Sequence, residues 1–385
     1  MTQSGISTWA FEFHHIHKRE HPDFEDPAIV QDTYDRNLDR LVELEQYGFE
    51  GVFFSEHHFL NALSPVPNLL VAALAKMTTT LKIGVLGNVL PFHQPWRLAE
   101  ELSMLDYLTS GRLEIGLASG VPPEYLFVDL PEEEVRPRYA EVADFLDAAA
   151  ANKYVTLHGE YYDFEDIPVM PRPRQESRRR VWVTAYSGAT CATAAKRGYK
   201  AATAFQSKEA ARVAFDAYRE ACDEIGRDCS PDDLGIRRNV LVCETDAQAQ
   251  EMHEMLLDVD RERLKLTFSE VMARMMKAAG ADMMPEGVLE AGAMDAASVV
   301  DTAAPPLPDP FEMMNVSISD EFLFGSPATV TERIIEQLRF LGAGNLIAYH
   351  PHSMEHSELD EHYRLFAGIL PDLRAADVRL PVSAT

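Results

Sequence analysis

The chain has 385 residues, with 35 basic against 62 acidic side chains and a formal net charge of −27. Apolar residues at 46% and charged residues at 25% are the composition of a globular protein with a large core, which excludes a disordered chain. A field of that sign repels phosphate backbones and anionic lipid surfaces, so neither nucleic acid nor a membrane is an expected partner.

The basic run from Arg172 to Arg180 includes an acid and reads as a solvated loop before a strand. Cys191, Cys222, Cys229 and Cys243 show no CxxC spacing, which suits a reducing compartment. The N-terminus lacks a basic stretch followed by a long apolar one, and no window reaches 18 apolar residues. A cytoplasmic protein is expected.

In chain order, Thr8 to Phe13 alternates like a strand. Tyr34, Leu38, Leu41 and Val42 recur at helical spacing over Asp32 to Tyr47, and Gly48 stops that helix. Gly51 to Ser55 is a buried strand, Asn68 to Met77 a helix and Leu81 to Val85 the third strand. Pro95 opens a helix whose stripe is Leu98, Leu102, Leu105 and Leu108, and Leu113 to Leu117 follows as strand four. A helix from Pro131 to Ala151 and a hairpin between Val155 and Val169 come next. Strand five is Val181 to Thr184, with its helix over Thr190 to Arg197. Strand six is Lys200 to Ala204, with a helix over Lys208 to Ile225. Strand seven is Ile236 to Cys243, strand eight Asn345 to Tyr349, and the closing helix Glu358 to Leu370. Eight strand–helix units in order predict an α/β fold, a single (β/α)8 TIM barrel over residues 1–385, with an open doubly wound sheet as the alternative by periodicity alone.

Between strands seven and eight the rhythm breaks. Roughly residues 247–320 form an expected insertion holding 10 of the 15 methionines. Leu264, Phe268, Val271, Met272, Met275 and Ala279 make a helical stripe in it, and residues 280–315 are rich in Ala, Gly and Pro. A lid over the open face is expected there, against the plainer reading of a helix packed on the barrel.

In such barrels chemistry sits at the carboxyl ends of the strands. Those ends are rich in histidine here: His14, His15 and His17, then His57 and His58, then His93, then His350 and His352. His15 and His17 have a spacing that can chelate a divalent ion, as in a metal hydrolase. Strands five and six, however, end in Thr184-Ala185-Tyr186 and Thr203-Ala204-Phe205 and supply no further ligand, so no metal site is expected. The run from Val183 to Thr190 passes from strand to helix through small and hydroxyl residues. A helix start with Ser187 and Thr190 can bind an anion, although serine and threonine also cap helices that bind nothing.

Taken together, Gly48-Phe49-Glu50-Gly51-Val52-Phe53-Phe54-Ser55-Glu56-His57-His58-Phe59, the run from Leu90-Pro91 through Arg97-Leu98-Ala99-Glu100-Glu101 to Leu105-Asp106, Ser110-Gly111-Arg112-Leu113-Glu114-Ile115-Gly116 and Phe324-Gly325-Ser326-Pro327-Ala328-Thr329-Val330 resemble the bacterial luciferase-like flavin monooxygenase family. The resemblance implies a (β/α)8 barrel that binds reduced FMN, usually as a homodimer. It makes His57 the catalytic histidine and Ser187 and Thr190 the holders of the flavin phosphate. It places a non-proline cis peptide at Leu86–Gly87 beneath the flavin ring. Asn88, Ala118, Ser119, Tyr186 and Gly188 complete the expected cofactor-binding set, and His14 is a further pocket candidate. Where the luciferase pattern has a reactive cysteine and then an arginine after strand four, this chain has Ala118 and Ser119, so that cationic phosphate contact is missing.

The expected activity is that of a two-component monooxygenase. It would take reduced FMN from a separate flavin reductase and use dioxygen to oxygenate a small, apolar organic substrate. The alternatives are hydride transfer with a deazaflavin on the same barrel, or flavin binding without catalysis. An imidazole titrates near neutrality, so His57 can hold or supply a proton. Neighbouring strand residues face opposite ways, so Glu56 is expected to be a supporting group.

Overall fold

The computed structural model describes residues 5–17, 25–59, 63–174, 180–261, 320–351 and 353–380. The elements are β1 (Ser7–Glu12), α1 (Pro27–Tyr47), β2 (Gly51–Phe54), α2 (Pro67–Met77), β3 (Lys82–Val89), α3 (Pro95–Leu108), β4 (Leu113–Ala118), α4 (Pro122–Leu126) and α5 (Glu132–Ala151). A hairpin of β5 (Tyr154–His158) and β6 (Asp163–Pro168) comes next, then β7 (Val181–Thr184), α6 (Gly188–Arg197), β8 (Lys200–Thr203), α7 (Lys208–Glu224) and β9 (Leu234–Val242). The chain is helical again over 246–261, here α8. After the gap come β10 (Phe322–Gly325), α9 (Pro327–Leu341), β11 (Asn345–Tyr349) and α10 (His356–Ala375).

Local chemistry explains the boundaries. Asp26 accepts the Ala28 N–H at the start of α1, Pro27 fills the first helical position, and Gly48 ends the helix at φ 85°. Ser187, Ser207 and Ser326 cap α6, α7 and α9 in the same way.

Eight strands close into a barrel in the order β1-β2-β3-β4-β7-β8-β9-β11, with β11 returning to β1 and every pairing parallel. The short β10 adds a parallel rung to the upper half of β9, pairing Phe322–Gly325 with Asn239–Val242. Helices cover the outside, and the core between strands and helices is continuous. Closure decides against the open sheet that periodicity left as an alternative.

Inside the barrel a second apolar cluster forms from Trp9, Phe11, Phe53, Leu86, Trp182, Ala202, Ile347 and Tyr349. Trp9 stacks on Phe53 at 4.8 Å and meets Trp182 edge-on at 5.9 Å. A Cβ at Gly51 would lie 2.5 Å from the Trp9 ring, so the bare backbone there is what admits the indole. Both indole N–H groups are satisfied, by Asn345 Oδ1 at 2.9 Å and by Glu114 Oε2 at 2.7 Å. These rings plug the lower barrel, each worth about 1.5–3 kcal/mol of burial. The space that remains is the mouth at the carboxyl ends of the strands.

Three expectations are revised. Strand three runs on to Val89, through a register irregularity against β4 between Val85 and Asn88. Helix α4 and strand β10 were not read from the sequence. The basic run is only partly described: Arg172 donates to the Ala149 and Ala150 carbonyls at the end of α5, and Arg180 pairs with Asp106 at 3.1 Å. The stripe from Leu264 to Ala279 and the expected lid over 280–315 lie outside the described residues. No helix among the described residues is long and apolar enough to cross a membrane.

Candidate active site at the barrel mouth

The end of β2 carries Glu56-His57-His58 into the mouth. The His57 imidazole stacks on Phe13 with centroids 5.2 Å apart and planes at 17°. Its Nδ1 donates to Glu124 Oε1 at 2.9 Å. The Glu124 side chain is 1% exposed, whereas His57 is 23% exposed. The same carboxylate oxygen accepts the His58 backbone N–H at 3.1 Å, and Oε2 is buried without a partner among the described residues. A carboxylate on Nδ1 fixes that nitrogen as the protonated one and leaves Nε2 as the ring atom available for chemistry.

Glu56 serves other histidines. It accepts from His58 Nε2 at 3.0 Å, from His93 Nε2 at 3.2 Å and from the Val89 N–H at 3.1 Å. Burial by itself would raise its carboxyl, but the bonds from His58, His93 and Val89 hold it down to about 2. The Glu56 hydrogen bond in turn raises the His58 pKa. Glu56 therefore ties the end of β2 to the end of β3.

The β3 end has the cis peptide bond Leu86–Gly87. A Cβ at Gly87 would lie 2.7 Å from the Leu117 carbonyl carbon, so β3 and β4 approach closely beside it. Leu86 is buried in the barrel interior. Asn88 is buried and bonded at both ends of its amide, donating to Gly116 O at 2.9 Å and accepting from Asn68 at 3.0 Å. At the end of β4, Ala118 is half-buried and Ser119 exposed, and the Ser119 carbonyl accepts the Tyr125 hydroxyl at 2.9 Å.

Across the mouth, Tyr186 and Ser187 join β7 to α6. Tyr186 is exposed, and its carbonyl accepts from Gln206 at 2.6 Å. Ser187 Oγ accepts the Thr190 N–H at 3.2 Å and lies 3.0 Å from Thr190 Oγ1. Both hydroxyls are exposed on one edge of the helix start, with Gly188 between them. A Cβ on Gly188 would press on Ala217 at 3.1 Å.

The strand-end histidines do not form one group. His14 leaves β1 at φ 55° and packs between Tyr34 and Phe54 on the helix side, with both ring nitrogens unpartnered and burial lowering its pKa to about 4. It is not a pocket residue. His15 stacks on Phe13, His17 faces His356, and His350 pairs with His362 at 2.5 Å. His15 and His17 thus meet different aromatic neighbours. His352 lies outside the described residues.

Two residues at the mouth were not anticipated. Glu124 sits on a five-residue helix that opens with Pro122 and Pro123, too short for a periodic signal. Arg237, on β9, lies 4.4 Å from the Tyr349 ring, 4.6 Å from Phe205 and 5.8 Å from Phe11. Its Nη1 donates to Glu321 Oε1 at 2.7 Å. An alternating interior position in the middle of β9 was the only signal for it.

A family profile described as luciferase-like monooxygenase matches residues 9–344. An alkanal monooxygenase beta chain of Photorhabdus luminescens is 29% identical over 170 residues, which is 43% of this chain and 52% of that one. The oxygenase component of a flavin-dependent trigonelline monooxygenase from Acinetobacter baylyi is 25% identical over 230 residues, 57% of this chain and 63% of that one. The chain thus spans between about half and two thirds of these curated relatives. Among solved structures, the oxygenating constituent of 3,6-diketocamphane monooxygenase from Pseudomonas putida, in complex with FMN, superposes with a TM-score of 0.72 at 20% identity, covering 98% of this chain and 100% of that one. An F420-dependent secondary alcohol dehydrogenase superposes with a TM-score of 0.66 at 14% identity, covering 96% and 99%.

Proposed function

This chain belongs to the luciferase-like monooxygenase family, and from that premise we propose that it is the oxygenating component of a two-component flavin-dependent monooxygenase. It would accept reduced FMN from a separate flavin reductase and use dioxygen to oxygenate a small organic substrate. The observation that carries this reading is the His57 ring, held on Nδ1 by buried Glu124 and stacked on Phe13 at the mouth of a closed barrel.

The residues present fit the cofactor. The start of α6 offers the positive end of a ten-residue helix and two exposed hydroxyls 3.0 Å apart. That set matches a phosphate monoester. The Leu86–Gly87–Asn88 segment, Ala118 and Ser119 would hold the ring of the cofactor, at a place where the lack of a Gly87 side chain lets β3 lie close on β4. Tyr186 and Gly188 would contact the cofactor beside the start of α6. Bound in its reduced form, FMN supplies the electrons that activate dioxygen.

The chain's own part is to bind, orient, shield and handle a proton. Ser187 and Thr190 hold the phosphate end against a net field that opposes an anion. Phe11, Phe13 and Tyr349 line the mouth and exclude water from it. His57 keeps or delivers a proton at Nε2, because Glu124 occupies Nδ1 and prevents the ring from turning over. The protein acts as a homodimer in the cytoplasm, where its four free thiols are stable.

The superposition on an F420-dependent enzyme favours a second reading, hydride transfer with a deazaflavin on the same barrel. Anaerobic titration with reduced FMN and with a reduced deazaflavin separates the two. Micromolar binding of reduced FMN with weaker binding of the deazaflavin is expected. The reverse order selects the second reading, and no binding of either removes both. Oxygen uptake matched by oxygenated product separates the enzyme from a flavin carrier.

A further inference from the structure

The Arg237 guanidinium is a charged group that the proposed flavin chemistry leaves unused. Its side chain is 8% exposed and lies among the faces of Tyr349, Phe205 and Phe11. Rings attract a cation but offer it no hydrogen-bond acceptor. A guanidinium has five N–H donors, and among the described residues the one acceptor that Arg237 meets is Glu321, at Nη1. Its Nε is buried with no partner among the described residues. Nor is the Glu321 carboxylate dedicated to it. Glu321 also accepts from Arg238 at 3.0 Å, from Asn239 at 3.1 Å and from the Phe205 N–H at 3.2 Å. Buried cations left short of acceptors are costly unless something completes them.

The position narrows what that something is. Tyr349 and Phe11 belong to the barrel interior, and Phe13 bridges Tyr349 at 5.3 Å to His57 at 5.2 Å. Arg237 therefore faces the same mouth as His57, with two aromatic rings between them. It stands on β9 and β11's side of the barrel, away from the β3 and β4 wall. A ligand seated there would have a flat apolar body against the rings and an oxyanion on the guanidinium.

We propose that Arg237 is the substrate-recognising residue of this site and that the substrate carries a carboxylate on an aromatic or similarly flat apolar body. This rests on the reading of the mouth as an oxygenase site, and it sharpens the expectation of an apolar substrate by adding an anionic end.

The test uses the intact protein with sodium benzoate and benzyl alcohol as probes, by titration calorimetry. The wild-type protein should bind benzoate about tenfold or more tightly than benzyl alcohol, the margin of one charge-assisted hydrogen bond. Arg237→Gln should weaken benzoate by about 10- to 100-fold and benzyl alcohol by less than about threefold. Arg237→Lys, which keeps a charge for Glu321, should recover part of the benzoate affinity. If Arg237→Gln does not fold, the wild-type preference and Arg237→Lys decide the matter. Absence of a benzoate preference in the wild type overturns the proposal. So does an equal loss for both probes. FMN and riboflavin titrations form a separate arm: if Arg237→Gln weakens FMN but spares riboflavin, the arginine serves the flavin phosphate and the proposal falls. Failure of reduced FMN to bind the wild type would sink the oxygenase reading while leaving the benzoate result standing.

Discussion

Glu124 offers the sharpest check on the site, because one carboxylate oxygen does two tasks. It accepts His57 Nδ1 at 2.9 Å and the His58 N–H at 3.1 Å, and its second oxygen is buried without a partner. Glu124→Gln keeps a single acceptor oxygen and removes the charge. Charge-assisted bonds are worth about 1.5–3 kcal/mol and neutral ones about 1, so this change should cost about 1–2 kcal/mol in unfolding free energy. Glu124→Ala strands both donors and should cost about 2–4 kcal/mol. Urea unfolding reads the stability. The tautomer is read by long-range proton–nitrogen correlation on protein with labelled histidine, with His57→Gln identifying the signal. In the wild type at alkaline pH, His57 should carry its proton on Nδ1 alone. In Glu124→Ala it should exchange between both nitrogens. Turnover in Glu124→Gln should drop about tenfold, equivalent to about 1.4 kcal/mol at the barrier, with flavin affinity kept. A wild-type ring protonated on Nε2, or a tautomer indifferent to Glu124→Ala, refutes the positioning.

Three further outcomes follow from the same geometry. His57→Ala should lower oxygenation about 10²- to 10⁴-fold while reduced FMN still binds; stopped-flow product formation checks it, and unchanged turnover ends the role. Ser187→Ala combined with Thr190→Ala should weaken FMN more than riboflavin in parallel titrations, and equal losses would mean a general defect of the α6 start. Burial raises the Glu12 carboxyl to about 7, against the Tyr363 hydrogen bond at 3.1 Å and the Arg40 charge, which both lower it. The folded protein thus keeps this proton to near neutrality, whereas the unfolded chain releases it near pH 4.3, so stability from this group declines between those values by up to about 4 kcal/mol. Urea midpoints at pH 5 and pH 7.5 should show the decline in the wild type and a flatter response in Glu12→Gln.

The barrel was legible because each of its strands is a short apolar run set between helix stops. Val181–Thr184 and Asn345–Tyr349 stand where the apolar pattern put them, and Ser187 and Thr190 mark a helix start as their residue types suggested. His57 was found through a local motif. What the sequence hid are partnerships set by barrel closure. Glu124 lies 67 residues beyond His57, and Arg237 is 84 residues before Glu321. Neither separation leaves a periodic trace, and helix α4 is too short to show one. Adjacency even misleads: Glu56 precedes His57 directly, yet it binds His58 and His93. The reason is that the alternation of β2 carries on just past its end, turning Glu56 away from its neighbour and toward the residue two positions on. The same alternation puts Phe11 in the barrel interior and Glu12 against Tyr363 of α10. A histidine at a strand end is thus a site candidate only once its face is known. Among the described members of that cluster, His57 is the exposed ring that a buried carboxylate holds on Nδ1, whereas His58 and His93 give their Nε2 to Glu56.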